Sequence, residues 1–213
     1  MPQRKNWYKQ VICVRNIMGI KIKTLEVAGF ASAVQALRLP FTKECRSQVS
    51  TKMMVDEEGI VESPHIGYTA LVNFDEKDLH LMSVLIKRGD EHAKCIRGII
   101  AYAEIDAPVY WWCEMETYRT GHERLSSAST MHVDCKGLTG KELVKAKSEI
   151  PMGKMLKKVD FFSYQCLRNI VKQRKGHRLP EWATFIEWVK SLPFAEQLIL
   201  IGLKDGGSSD NQV

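Results

Sequence analysis

Polar and apolar residues alternate through IKIKTLEV, a period of two that predicts a strand over residues 19–27. In ASAVQALRL the apolar groups return at helical spacing as far as Pro40, whose ring ends the expected helix. YTALVNF, 68–74, predicts a second strand. Between them KECRSQVSTKMMVDEEGIVESPHI keeps no steady period, and MMV and IV flanking Glu58-Gly59 are expected to form a loop or short hairpin. DEKDLHLMSVLIKRGD offers Asp75 as a cap, Leu79, Met82, Val84, Leu85 and Ile86 on one side, and Gly89 as a stop, so it predicts a helix. CIRGIIAYAEIDAP predicts a strand ending at residues 106–108, and VYWWCEMETYR a helix that opens on Pro108.

The stretch ETYRTGHERLSSASTMH, 116–132, is almost devoid of apolar residues yet follows the aromatic PVYWWCEM, so it is expected to emerge from the core as a polar loop, where binding sites tend to lie. LTGKELVKAKSEI predicts a helix with Thr139 as its N-cap, ended by Pro151-Met152-Gly153. DFFSYQCLRNIVKQRKG and EWATFIEWVKSLP predict two more. Phe161, Tyr164, Leu167 and Val171 form the buried stripe of the first, and Trp182 and Trp188 of the second are expected in the core. FAEQLILIGL is expected to form a final short helix. This order predicts an α/β or α+β fold, a central β-sheet with packed helices and a helical C-terminal half. A single domain is expected over 18–203, between an N-terminal extension, 1–17, and a disordered polar tail, 204–213.

With 213 residues, 45% of them hydrophobic, the chain can bury a sizeable core without disulfides. Cys13, Cys45, Cys95, Cys113, Cys135 and Cys166 lie far apart with no C-x-x-C pair, as expected of reduced thiols in a cytoplasmic protein without a structural metal. No apolar run reaches the ~20 residues that span a bilayer, and MPQRKNWYKQ lacks the apolar core of a secretory signal, so no membrane partner is expected; Met18 is an alternative start. The net charge of +6 is uneven, because residues 136–178 hold twelve Lys or Arg against Glu142, Glu149 and Asp160, a balance of +9 that leaves −3 elsewhere. A phosphorylated small molecule, a nucleic acid or a solvated helix face would each account for it. Neither G-x-G-x-x-G nor G-x-x-x-x-G-K-[ST] occurs.

The candidate binding residues fall in two groups. Arg119 and Arg124, five apart, do not share a helical face, but from a loop both can enter one cavity, where guanidinium forks suit phosphate; exposed arginines in a polar loop are the plain alternative. Ser126, Ser127 and Ser129 can donate to phosphate or ribose, or cap a helix. His122 beside Glu123 has the residue types of acid–base chemistry, although adjacent residues rarely face each other. Cys113, in an aromatic helix, is expected to be a core thiol. Arg168, Lys172, Arg174, Lys175, His177 and Arg178 are the densest basic cluster, with 168, 172 and 175 on one helical face.

From Gly89 through Ala107-Pro108 and the helix VYWWCEMETY to RTGHERLSSASTMH, the order of elements resembles the flavin-dependent thymidylate synthases, whose signature reads RHRxxSxNExSxRY. The resemblance places Arg119 at an arginine of RHR, Ser127 or Ser129 at a later serine and, in the second register, His132 at the closing tyrosine. The paired RHR, the Asn-Glu and the later Arg are absent from this chain. CLRNIVKQRKGHR before LPEWATFIEW is similar to the family's helix N-x-R-x-L-x-x-F-x-x-x-R, with Arg168 as the first arginine and Arg174 or Arg178 as the one that grips deoxyuridylate. The resemblance implies a nucleotide-binding domain, a deoxyuridine nucleotide (dUMP) as ligand, FAD, a folate one-carbon donor, methyl transfer to the uracil ring and a homotetramer. The contrasting expectation is a non-catalytic nucleotide- or nucleic-acid-binding protein that keeps the fold without the flavin.

Overall fold

The computed structural model describes residues 15–17, 19–41, 48–52, 69–73 and 75–203. Arg15–Ile17 (β1) and Ile20–Ala28 (β2) form an antiparallel hairpin in which Ile20 and Ile22 alternate inward. Gly29 then turns the chain into Phe30–Arg38 (α1), which buries Phe30, Ala33, Val34 and Leu37 at helical spacing. Gln48–Lys52 (β3) and Thr69–Asn73 (β4) pair as a separate two-stranded sheet. Glu76–Arg88 (α2) opens on the Asp75 carboxylate, which accepts the Lys77 amide, and closes at Gly89. Ile100–Pro108 (β5) leads through Pro108 into Val109–Met115 (α3). His122–Ser127 (β6), Thr130–Val133 (α4), Gly140–Ser148 (α5), Met155–Ser163 (β7), Tyr164–Arg174 (α6), Pro180–Lys190 (α7) and Ala195–Leu198 (α8) follow.

The main sheet has the order β1-β2-β5-β7-β6 and is antiparallel throughout. The expected mixed α/β fold is borne out, with three differences from the sequence reading. The expected loop 116–132 contains β6, an edge strand. DFFS, assigned to the start of a helix, ends β7, so Phe161 lies on a strand and the helix begins at Tyr164. The C-terminal half is therefore not helical alone, because it supplies two of the five strands. These errors share one cause. The inward face of β7 carries Lys158 and Asp160 along with Phe162, so the period of two is present but two of its buried positions are charged. Strand β3 fell within the stretch of no steady period. The Glu58-Gly59 turn, residues 1–14 of the expected extension and the tail 204–213 lie outside the described residues.

The core is aromatic. Trp111 packs on Trp182 and Phe185 with ring centroids 5.0 and 5.7 Å apart, and Phe185 on Trp188 at 5.1 Å. Tilted and edge-on rings like these add about 0.5–1.5 kcal/mol per pair beyond the area they bury. Trp182 and Trp188 are buried as expected, whereas Cys113 is exposed on the outer face of α3. Burial pushes the Cys166 thiol up to about 12. Among the four described cysteines Cys113 is therefore expected to react first with a thiol-labelling reagent at neutral pH, with Cys95, Cys135 and Cys166 protected until the protein unfolds; peptide mapping of the label checks this.

Gly29 sets how closely α1 meets the segment before β5. Its φ is 92°, and a Cβ there would lie 1.8 Å from the Gly98 carbonyl oxygen. Gly137 has a φ of 80° but open space around it. Gly137→Ala is expected to cost about 1 kcal/mol, the left-handed penalty alone. Gly29→Ala adds a backbone clash and is expected to cost roughly 3 kcal/mol or more, a fall of about 6–12 °C in Tm by calorimetry.

Candidate charge cluster at the end of the sheet

Helix α3 ends at Met115, and a turn through Tyr118, Arg119, Thr120 and Gly121 carries the chain into β6. Register pairs Arg124 with Asp160 and His122 with Phe162 on β7. The Asp160 carboxyl group is 0% exposed. His122 Nε2 lies 2.7 Å from its Oδ2, and Arg124 Nε donates to its Oδ1 at 3.3 Å. Arg124 Nη1 also donates to Glu116 Oε1 at 2.7 Å, and Lys158 Nζ to the same oxygen at 3.2 Å. Both cations lie over the Trp112 ring, Arg124 at 5.2 Å and Lys158 at 4.5 Å from its centroid. Hydrogen bonding from Arg124 holds the Glu116 carboxyl below its usual range. Burial, followed by repulsion from Arg124, lowers Lys158 despite its bond to Glu116.

A second cluster joins α3, α6 and α7. Arg174 Nε donates to the Tyr118 hydroxyl at 2.7 Å, and its Nη1 to Glu114 Oε2 at 2.8 Å. The guanidinium lies 4.6 Å from the Trp182 centroid and 5.5 Å from that of Tyr118. Trp182 Nε1 donates to the same Glu114 oxygen at 2.9 Å. His177 sits beside the group, its Nε2 3.5 Å from Glu114 Oε2.

The candidate residues thus separate. His122, Arg124 and Arg174 bond to groups of their own chain. Arg168 is 9% exposed, and its Nη1 donates to the carbonyls of Ile199 at 2.6 Å and Ile201 at 2.7 Å. This is a brace for the end of α8, not part of an open basic face, because the C-terminal segment covers it. Lys172 is exposed, while Lys175 lies past the helix as its extended C-cap, so the face expected of 168, 172 and 175 is not formed. Ser127, exposed, donates to the Ala128 carbonyl, and Ser129 caps α4 by accepting the Met131 amide. Arg119, His132 and Arg178 are exposed, and their side chains make no hydrogen bond or ion pair with another described residue, although the His132 amide donates to the Ser129 carbonyl. The sequence did not single out Glu114, Glu116, Lys158 or Asp160. A carboxylate at an inward strand position, as at Asp160, was the available signal. Among the described residues no group of His, Cys, Asp and Glu could hold a metal ion, and no helix is long and apolar enough to cross a membrane.

No protein-family model matches the chain, and no curated protein matches it. Solved structures do. The crystal structure of the flavin-dependent thymidylate synthase ThyX from Helicobacter pylori complexed with FAD and dUMP superposes with a TM-score of 0.57 at 13% identity, over 86% of this chain and 99% of that one. A second ThyX structure from the same organism, also with FAD and dUMP, gives 0.57 at 12% identity over 84% and 96%. The likeness establishes a thymidylate synthase-like fold.

Arg168 provides a direct check on the division between bracing and free arginines. Arg168→Ala leaves two carbonyls without their charged donor and is expected to lower stability by about 3 kcal/mol or more, measured by denaturant unfolding. Arg119→Ala is expected to stay within about 0.5 kcal/mol of wild type in the same measurement.

Proposed function

We propose that this protein binds a deoxyuridine nucleotide on its thymidylate synthase-like fold, as a single domain over residues 18–203 in the cytoplasm. The observation that carries this is the likeness over 86% of the chain to a protein solved with dUMP and FAD. Of the five candidate arginines, Arg119 and Arg178 are the two whose guanidinium has no hydrogen-bond or ion-pair partner among the described residues, and an uncommitted guanidinium is what a phosphate group requires. Ser129, whose hydroxyl accepts the Met131 amide, and His132 keep a hydroxyl and an imidazole donor available in the same segment, whereas the Ser127 hydroxyl is taken up by the Ala128 carbonyl.

The finer reading is FAD-dependent transfer of a one-carbon unit from a folate to the uracil ring. The described residues do not fit a flavin within one chain. Arg124 and Arg174 are held by Asp160, Glu116 and Glu114, which leaves two free candidate guanidiniums for a pyrophosphate and a nucleotide phosphate together. A flavin would need cations from a neighbouring protomer, which accords with the homotetramer that the resemblance implies. The same commitment of arginines favours the second reading, nucleotide binding without flavin chemistry. The visible spectrum separates them: a purified or FAD-reconstituted protein with flavin absorbance supports the enzyme, and a colourless protein that takes up no FAD supports the binding protein.

Calorimetric titration with dUMP tests the nucleotide site itself. Arg119→Ala and Arg178→Ala are each expected to weaken dUMP binding more than about tenfold, the loss of one or two charge-assisted bonds. Lys172→Ala is expected to leave it unchanged. Equal losses for Lys172→Ala and Arg178→Ala, seen only with a short single strand and steeply dependent on salt, would replace the mononucleotide with nucleic acid.

A further inference from the structure

The His122 ring has a hydrogen-bond arrangement that nucleotide binding does not use. Its Nδ1 lies 2.8 Å from the Tyr118 carbonyl oxygen and its Nε2 2.7 Å from Asp160 Oδ2. A backbone carbonyl can only accept. Asp160 accepts at Oδ1 from Arg124 as well. The ring therefore faces an acceptor at each nitrogen, and only an imidazolium donates from both. His122 is 5% exposed and stacks parallel to Phe162 at 4.6 Å, so little water can substitute for either partner. Asp160 on β7 bonds it directly, Tyr118 through its carbonyl, and Arg124 on β6, Glu116 and Lys158 follow along the same chain of contacts. Of these, Lys158 is drawn toward Glu116 and the Tyr118 hydroxyl toward Arg174.

The bond to Tyr118 fixes one end of the turn that carries Arg119. The other end is fixed by Gly121, whose carbonyl accepts the Ser163 amide at 2.7 Å and where a Cβ would lie 2.3 Å from Ser163 Oγ. We infer that His122 is a buried imidazolium and a positioning residue, which ties the Tyr118–Gly121 turn to the Asp160 carboxylate and so sets where Arg119 stands. This role is independent of which ligand Arg119 meets. It is tested on the free protein by ¹⁵N spectroscopy of the histidine rings at neutral pH, with His122→Gln identifying the signals. Two protonated nitrogens are expected for His122; one bare nitrogen overturns the inference. In Asp160→Asn the ring is expected to lose its second proton, and the Ser163 amide, which donates to the Gly121 carbonyl of the turn, to exchange about tenfold faster, as for the loss of one such bond. If Asp160→Asn does not fold, the same acceleration is expected in His122→Gln. Unchanged exchange there in a folded protein overturns the positioning role.

Discussion

The buried Asp160 carboxylate is the constraint around which this end of the molecule is built. A charge with no access to water is tolerated only when partnered, and removing one partner of such a pair costs about 3–5 kcal/mol. Asp160 takes His122 and Arg124 from the neighbouring strand, Arg124 takes Glu116, and Glu116 takes Lys158. Trp112 lies under both cations, its own Nε1 donating to the Leu156 carbonyl at 2.9 Å. Within residues 116–132, Glu116, His122 and Arg124 are thereby explained without a ligand, because they belong to the network that partners a charge inside the sheet.

The same constraint decided what could be read from the sequence. Strands β2 and β5 and helices α1, α2 and α7 were legible because most of their buried positions are apolar, Asp78, Glu181 and Thr184 excepted, and their ends carry proline, glycine or a capping aspartate. Strand β7 was not, since a lysine and an aspartate at inward positions look like a solvated face until their partners are known. Its neighbour β6 was hidden for a related reason: in HERLSS the edge position leaves four of six residues exposed from Leu125 on and at Glu123, and the two partly covered ones are His122 and Arg124. The candidate site suffered accordingly. Arginine content located the right region, but no spacing rule distinguishes an arginine that braces Ile199 from one that faces solvent.

Similarity of layout and similarity of chemistry therefore part in this chain. The order of elements follows that of the ThyX structures over most of the chain, yet at 13% identity the fold carries no residue role by itself. Residue roles follow from what each guanidinium already holds. Arg174 is stacked between Tyr118 and Trp182 and bonded to Glu114, so moving it toward a ligand would strip that carboxylate of its nearest cation. Its commitment also bears on the proposed site. By bonding the Tyr118 hydroxyl it ties the end of α6 to the turn that holds Arg119, while His177, next to Arg178, packs on Trp182 with ring centroids 6.2 Å apart. Arg119 and Arg178 thus each adjoin a residue locked into one aromatic and ionic cluster, and on the proposed nucleotide reading the internal salt bridges of Arg124 and Arg174 would fix where those two arginines stand.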